Sequence, residues 1–217
     1  RLSACQDVEL IAPADVIKVS VSAEQACLLL SRDGEQQQVQ APLVVAADGG
    51  NSFIREQLDV PAWRWGYGQT AVVANITPAK AHQNTAYERF TDTGPVALLP
   101  MSEGRCALVW TIRDEQLDAI MALDERAFLA AFQARFGYRL GRFERVGKRH
   151  SYPLSLLRVR QSTAERMVII GNAAHTLHPI AGQGFNLGLG DVAALAQVLT
   201  QAHQDGLDLG GAAILAQ

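Results

Sequence analysis

Apolar and polar residues alternate along this chain in short blocks, and the period changes from block to block. Val16 to Val21 alternates in period two, the spacing of a strand with one buried face. Val8 to Leu10 and Cys27 to Ser31 read as further short strands, and Arg32-Asp33-Gly34 reads as a turn. Leu43 to Ala47 is instead a continuous apolar run that ends at Asp48-Gly49-Gly50. That predicts a buried strand running into a tight loop. Ser52 is placed to cap a short helix that reaches Leu58 and stops before Pro61.

From about Gln69 the pattern turns β-rich. Thr70 to Ile76, Thr85 to Phe90, Val96 to Leu99 and Cys106 to Ile112 are separated by Gly, Pro and Asp turns, which predicts an antiparallel sheet. Two helices follow. Leu117, Ile120 and Met121 give the first its apolar face, and Phe128, Leu129, Phe132 and Phe136 give the second, closed by Gly137. Tyr152 to Val159 reads as a strand, and Met167 to Ile170 as a short apolar strand ending at Gly171. A loop then leads to a helix from about Asn186 to His203, with Val192, Leu195 and Leu199 as its buried stripe. The order predicts an α/β core interrupted by a β-rich lobe.

Composition narrows the class. The 217 residues suffice for one large domain or two small ones, and 48% of them are hydrophobic. A chain of this size buries roughly 70% of its unfolded surface, so a core forms without staples. The net charge of -3 argues against nucleic acid as a partner. Cys5, Cys27 and Cys106 are an odd set without CxxC spacing, which argues for a reducing compartment. No run of about 18 apolar residues is present, so no helical span is expected, while peripheral membrane contact stays open. The chain opens on Arg1 without a signal-peptide pattern and stops shortly after a helix-like stretch. We therefore expect a piece of a longer protein.

Two loops carry the candidate chemistry. In the first, Asp48 stands at the carboxyl end of a buried strand, where ligands of open α/β sheets collect. Gly49 and Gly50 let another group approach the backbone. Arg55 lies one turn into the helix, able to pair with Asp48 or with an anion. An ordinary strand-to-helix turn with Asp48 as a cap is the competing reading. The second loop runs from Gly171 to Asn186, with Pro179 stiffening its middle. Gly182 and Gly184 precede a helix whose first N–H groups lack internal partners, a place for a phosphate, a carboxylate or a delocalised anion. A glycine-rich helix entry packed tightly on a strand is the alternative. His175 and His178 stand three apart, but no Cys, Asp or Glu beside them completes a metal set, so no metal is expected. No GxSxG, P-loop or GxGxxG pattern is present.

DGGNSFIR resembles the DG motif, DGxxSxxR, of the class A flavoprotein aromatic hydroxylases. GNAAHTLHPIAGQGFN resembles their second flavin motif, GDAAHxxxPxxGxGxN, and the two lie in the family's order with a β-rich lobe between them. The wording HPIAGQGFNLG is especially similar to the ubiquinone-biosynthesis branch, which hydroxylates polyprenylated phenols. The resemblance implies a mixed α/β fold, part of an FAD-binding Rossmann-like domain with an inserted antiparallel substrate sheet. It divides the chain into 1–66 (FAD-binding, with the DG motif), 67–158 (substrate lobe) and 159–217 (return to the FAD domain). Asp48 and Gly49 would lie near the FAD pyrophosphate, with Arg55 steadying that loop. Gly171 belongs to the cofactor-binding set. Asn172 stands where most relatives have an Asp on the ribityl chain, a departure that keeps hydrogen bonding and removes a charge. Pro179 would sit against the isoalloxazine ring as the catalytic contact. Gly182, Gly184 and Asn186 would serve its pyrimidine edge. The family's opening strand and GxGxxG loop are not in this sequence, so weak or no FAD binding by this chain alone is expected.

The resemblance further implies that NADPH reduces FAD, that O2 adds to the reduced flavin, and that the resulting hydroperoxide passes one oxygen to an electron-rich ring. Substrate-facing groups are expected around Arg89, Leu99, Pro100 and Trp110, although Trp110 and Phe90 also read as plain core residues. A polyprenyl substrate implies a cytoplasmic protein, peripheral to the inner membrane, working beside other ubiquinone-biosynthesis proteins. No basic amphipathic helix is evident in the sequence to dock it. A related FAD-dependent reductase or dehydrogenase, or a non-catalytic interaction module of a biosynthetic assembly, are the alternatives.

Overall fold

Asp33 and Gly34 both sit at positive φ, 52° and 86°, as a two-residue turn requires if it is to follow the strand twist. The turn helps build a three-stranded antiparallel sheet of β1 (Asp15–Val21), β2 (Ala26–Arg32) and β3 (Glu35–Ala41). The computed structural model describes residues 5–217. It divides into two units, Arg1–Arg64 with Leu156–Gln217, and Trp65–Ser155. After β4 (Val44–Ala46) and α1 (Phe53–Gln57), the chain leaves the first unit inside β5 (Ala62–Pro78).

The second unit holds β6 (Tyr87–Thr91), β7 (Gly94–Pro100) and β8 (Cys106–Arg113), then α2 (Leu117–Ala122), α3 (Glu125–Phe136) and β9 (Phe143–Val146). Antiparallel pairing runs β5 to β8, β8 to β7 and β7 to β6, and β9 joins the end of β5. Residues of one parity on these strands, among them Val72, Ile76, Val96, Leu98, Leu108 and Trp110, form the core with Phe128, Phe132 and Phe136 of α3. The three phenylalanines recur every fourth residue, so they share one helix face. Trp110 meets Phe128 and Phe132 at centroid distances of 5.6 Å each. Burying each such ring contributes about 1.5–3 kcal/mol. Asp124 caps α3 by accepting from the Ala127 N–H at 2.7 Å, and Gly137 at φ 89° ends it.

The chain returns to the first unit within β10 (His150–Val159), followed by β11 (Thr163–Ala164), β12 (Met167–Ile169), β13 (His175–Thr176), α4 (Gln183–Gln204) and α5 (Ala212–Leu215). β12 lies parallel to β4, Val168 opposite Val45. That pairing places the ends of two distant strands, and hence the two candidate loops, side by side. Arg166 holds this layer. Its guanidinium donates to Ala23 O (2.9 and 2.6 Å) and Pro42 O (3.2 Å), and forms a two-pronged pair with Asp208 at 2.6 Å on each arm. The Arg166 N–H donates to Gly210 O, and the Arg166 carbonyl accepts from the Val44 N–H.

Several expectations need correction. Val8 to Leu10 forms no strand and is exposed. β3 and β9 carry too few apolar residues to show in the pattern. β3 forms because its backbone pairs with β2 from Ala41 opposite Ala26 to Glu35 opposite Arg32. α4 starts at Gln183, three residues earlier than expected. Its supposed buried stripe is open: Val192 is 49% exposed, Leu195 and Leu199 are half-buried, and Ala202 is the helix's buried residue. Phe90 is 70% exposed rather than in the core, because its register position opposite Pro95 puts it on the face away from α3.

The Arg166 guanidinium holds the Asp208 carboxyl below the usual carboxylate range. A lowered folded value gives stability that is present above the unfolded value of about 4 and lost as pH falls through the folded one. Melting followed by circular dichroism should show the midpoint dropping below about pH 4. Asp208→Asn should start lower at pH 7 and show a flatter acid limb. A methyl built at Gly210 overlaps the Pro42 carbonyl oxygen and the Arg166 side chain, so Gly210→Ala should cost more than about 2 kcal/mol in chemical denaturation.

Candidate functional site

β4 ends at Ala46, and the chain turns through Gly49, whose φ of 88° favours glycine. Ser52 then caps α1, its hydroxyl accepting from the Arg55 N–H at 3.0 Å. Asp48 is exposed, and its Oδ2 accepts from the Ile54 N–H at 3.1 Å, adding a second acceptor at the helix start. It does not pair with Arg55. Arg55 is 4% exposed and reaches across instead. Its Nη1 donates to Ala173 O and its Nη2 to Gly50 O, both at 2.9 Å. One side chain therefore joins the first loop to the second.

The second loop leaves β12 through Gly171 at φ 60°. Thr176 donates its hydroxyl to Asn172 O at 3.1 Å, and a methyl at Gly50 would sit 3.2 Å from that hydroxyl oxygen. The two loops touch there as well. The Gly171 N–H donates to Asp191 Oδ2 at 2.8 Å, and His175 Nε2 meets the same oxygen at 2.7 Å. Asp191 lies inside α4 and was missed. Its signal was a lone carboxylate in the apolar run Leu187 to Leu195, three residues after Gly188 and so on the same side of the helix.

Asn172, Pro179, Gly182 and Asn186 are exposed around the entry to α4, and Gly184 is half-buried. Among the described residues, neither the Asn172 nor the Asn186 amide has a side-chain hydrogen bond, so both are available to a ligand. Methyl groups built at Gly49, Gly171, Gly182 and Gly184 meet nothing within 4 Å, so open space lies before these backbones. Gly182 caps the 22-residue α4 at φ 63° without a side chain, leaving its first N–H groups uncapped. Glycine backbones, free amides and uncapped donors suit a flat group with an electron-rich edge. The residues present thus fit a flavin. An apolar hollow of about 520 Å³ lies on the flank of α4, walled by Val168, Ile170, Leu195, Val198 and Ile214, and it reaches His175 and Asp191 at the second loop.

The four residues expected to face substrate are not brought together. Trp110 is 2% exposed and sits in the core. The Arg89 guanidinium donates to Phe136 O at 2.9 Å and so closes the end of α3. Strand parity turns both toward the helix-covered face. Leu99 is exposed on the opposite face and Pro100 is half-buried at the strand end.

The fold is shared with flavin-dependent hydroxylases and halogenases. It superposes on the flavin-dependent halogenase CmlS with a TM-score of 0.73 at 20% identity, over 94% of this chain and 38% of that one. It superposes on p-nitrophenol 4-monooxygenase PnpA from Pseudomonas putida with a TM-score of 0.73 at 16% identity, over 93% and 53%. The FAD binding domain family model matches residues 17–209, and the chain belongs to that family. It is 41% identical, over its whole length and 50% of the relative, to ubiquinone hydroxylase UbiL of Rhodospirillum rubrum. It is 32% identical to the human mitochondrial ubiquinone biosynthesis monooxygenase COQ6 over 82% of this chain and 45% of that protein. The chain spans about half the length of the curated relatives it matches.

Replacing Arg55 tests the bridge. Arg55→Met strands two carbonyl acceptors and should cost about 2–4 kcal/mol in denaturant melts. Arg55→Lys should recover only part of this, because one ammonium cannot reproduce the planar fork. Ser52→Ala should cost about 1 kcal/mol.

Proposed function

We propose that the whole protein is an FAD-dependent monooxygenase that hydroxylates a polyprenylated phenol in ubiquinone biosynthesis. The observation that carries this reading is the Arg55 bridge, which joins the two motif loops through Gly50 O and Ala173 O. The ubiquinone hydroxylase relatives support the substrate class. The wording of the second loop resembles 2-octaprenyl-6-methoxyphenol hydroxylase. FAD, reduced by NADPH, would supply the activation of O2 and the transfer of one oxygen atom to the ring. The sum is ring C–H, NADPH, H⁺ and O2 giving ring C–OH, NADP⁺ and water.

This chain's residues do the holding. Asp48 and Gly49 would face the pyrophosphate, and Gly171 and Asn172 the ribityl chain. Pro179 would pack on the ring. Gly182, Gly184 and Asn186 would offer donors to the ring's pyrimidine edge, with the α4 amides stabilising negative charge there. On the second unit's sheet, the face opposite α3 carries Val73, Ala97, Leu99 and Val109, an apolar wall suited to a prenyl phenol. Arg89 and Trp110 have no place on that wall. A substrate this apolar puts the protein at the membrane surface, on the cytoplasmic side. No helix among the described residues is long and apolar enough to cross a membrane.

The test uses the full-length protein loaded with FAD, a prenylated phenol, NADPH and O2. A product heavier by one oxygen, formed in step with NADPH oxidation and labelled from ¹⁸O2, is the expected result. NADPH oxidation that needs no O2 and leaves the ring unchanged would instead establish a reductase.

A further inference from the structure

We infer that Asp191, twenty residues beyond the start of the second loop, is the positioning residue that sets the shape of the flavin-holding loop. It acts through the Gly171 N–H and the His175 ring. The inference rests on the flavin reading above and deepens it.

α4 presents Gly188 and Asp191 on one face, a turn apart. A methyl built at Gly188 would lie 3.4 Å from Gly171 Cα, so helix and loop approach to within a side chain's width. At that approach a single carboxylate oxygen, Asp191 Oδ2, takes the Gly171 N–H at 2.8 Å and His175 Nε2 at 2.7 Å. A carboxylate oxygen has lone pairs enough to accept from both donors at once. Among the described residues, His175 Nδ1 is buried and has no hydrogen-bond partner, so the ring is tied down through Nε2 alone. The Asp191 and His175 side chains are partly buried, 29% and 20% exposed, and border the hollow beside α4. Two charge-assisted bonds on one oxygen therefore fix both ends of the turn. Gly171 opens it at positive φ, Asn172 displays its free amide in the middle, and His175 closes it at β13.

This separates two jobs within the loop. Arg55 ties it to the first loop from one side, through Ala173 O. Asp191 fixes its beginning and end from the helix side. Asn172, one residue after Gly171 and three before His175, would hold its ligand-facing position only while both bonds are made.

The test compares Asp191→Ala, Asp191→Asn, His175→Ala and the Ala/Ala double variant in the full-length protein. FAD dissociation is followed by flavin fluorescence, and the bound-flavin absorption spectrum is recorded at saturating FAD. Asn keeps an oxygen with two lone pairs and can accept both donors; Ala cannot. Asp191→Ala should weaken FAD binding roughly tenfold to a hundredfold, the range for one or two lost charge-assisted bonds. It should also alter the spectrum of the flavin that still binds. Asp191→Asn should recover most of both. The double variant should be no weaker than Asp191→Ala alone, because His175 acts through the same oxygen. Wild-type affinity and spectrum in a folded Asp191→Ala would overturn the inference, as would Ala effects that multiply in the double variant. If Asp191→Ala does not fold, Asp191→Asn decides it by whether its bound-flavin spectrum matches the wild type while His175→Ala's does not. Failure of the wild type itself to hold FAD would sink the flavin reading instead, a distinguishable result.

Discussion

A buried guanidinium spanning two carbonyls is the constraint on which the site depends. Removing an arginine from water costs several kcal/mol unless its donors are met. Arg55 meets this demand with Gly50 O and Ala173 O, which are far apart in sequence. The 4.0 Å approach to exposed Glu56 adds little. The first loop has no strand pairing of its own, and the second has only the two-residue β13 paired with β10. Their relative placement comes from the β4–β12 pairing beneath, with this side chain and the Gly50–Thr176 approach above.

Arg166 plays a similar part in the supporting layer, but with a carboxylate among its acceptors. It gathers the β1–β2 connection at Ala23, the entry to β4 at Pro42, and the segment after α4 at Asp208. Gly210 is pressed so closely against Pro42 and Arg166 that no side chain fits. The strand ends that carry the candidate loops are thus held by polar contacts at the rim. Val44, Ile54, Val159 and Ile169 form the apolar core below. The second unit relies on aromatic packing instead. There α3 lays a row of phenylalanines over one sheet face, while the opposite face carries half-buried Val73, Ala97 and Val109 and exposed Leu99.

Much of this was legible in the linear pattern because it depends on local chemistry. The Asp33-Gly34 turn, the Ser52 cap, the Gly137 end of α3 and its phenylalanine face follow from propensity and periodicity. β3 was hidden because its sequence, EQQQVQA, is polar, and only a partner strand makes it extended. The stripe on α4 misled for the opposite reason. Val192, Leu195 and Leu199 recur at helical spacing on the same side of α4 as Gly188 and Asp191, yet it is Gly188 and Asp191 that meet the loop, while Leu195 borders an open hollow. Periodicity counts apolar residues and cannot see a helix docking through a glycine and a carboxylate.

By itself the sequence determined the elements with strong local signals and the two motif loops with their order along the chain. Tertiary structure alone decided the partners. Arg55 could have paired with Asp48 nearby, but it binds carbonyls brought beside it by a parallel strand pair. Arg89 and Trp110 could have faced a ligand, but strand parity turns them to the helix. Asp191 acquires a role only when α4 closes on Gly171. Spacing along the chain limits where a side chain can reach. Which donor meets which acceptor depends on which backbones pack together, and buried polar groups cannot be left unmet once they do.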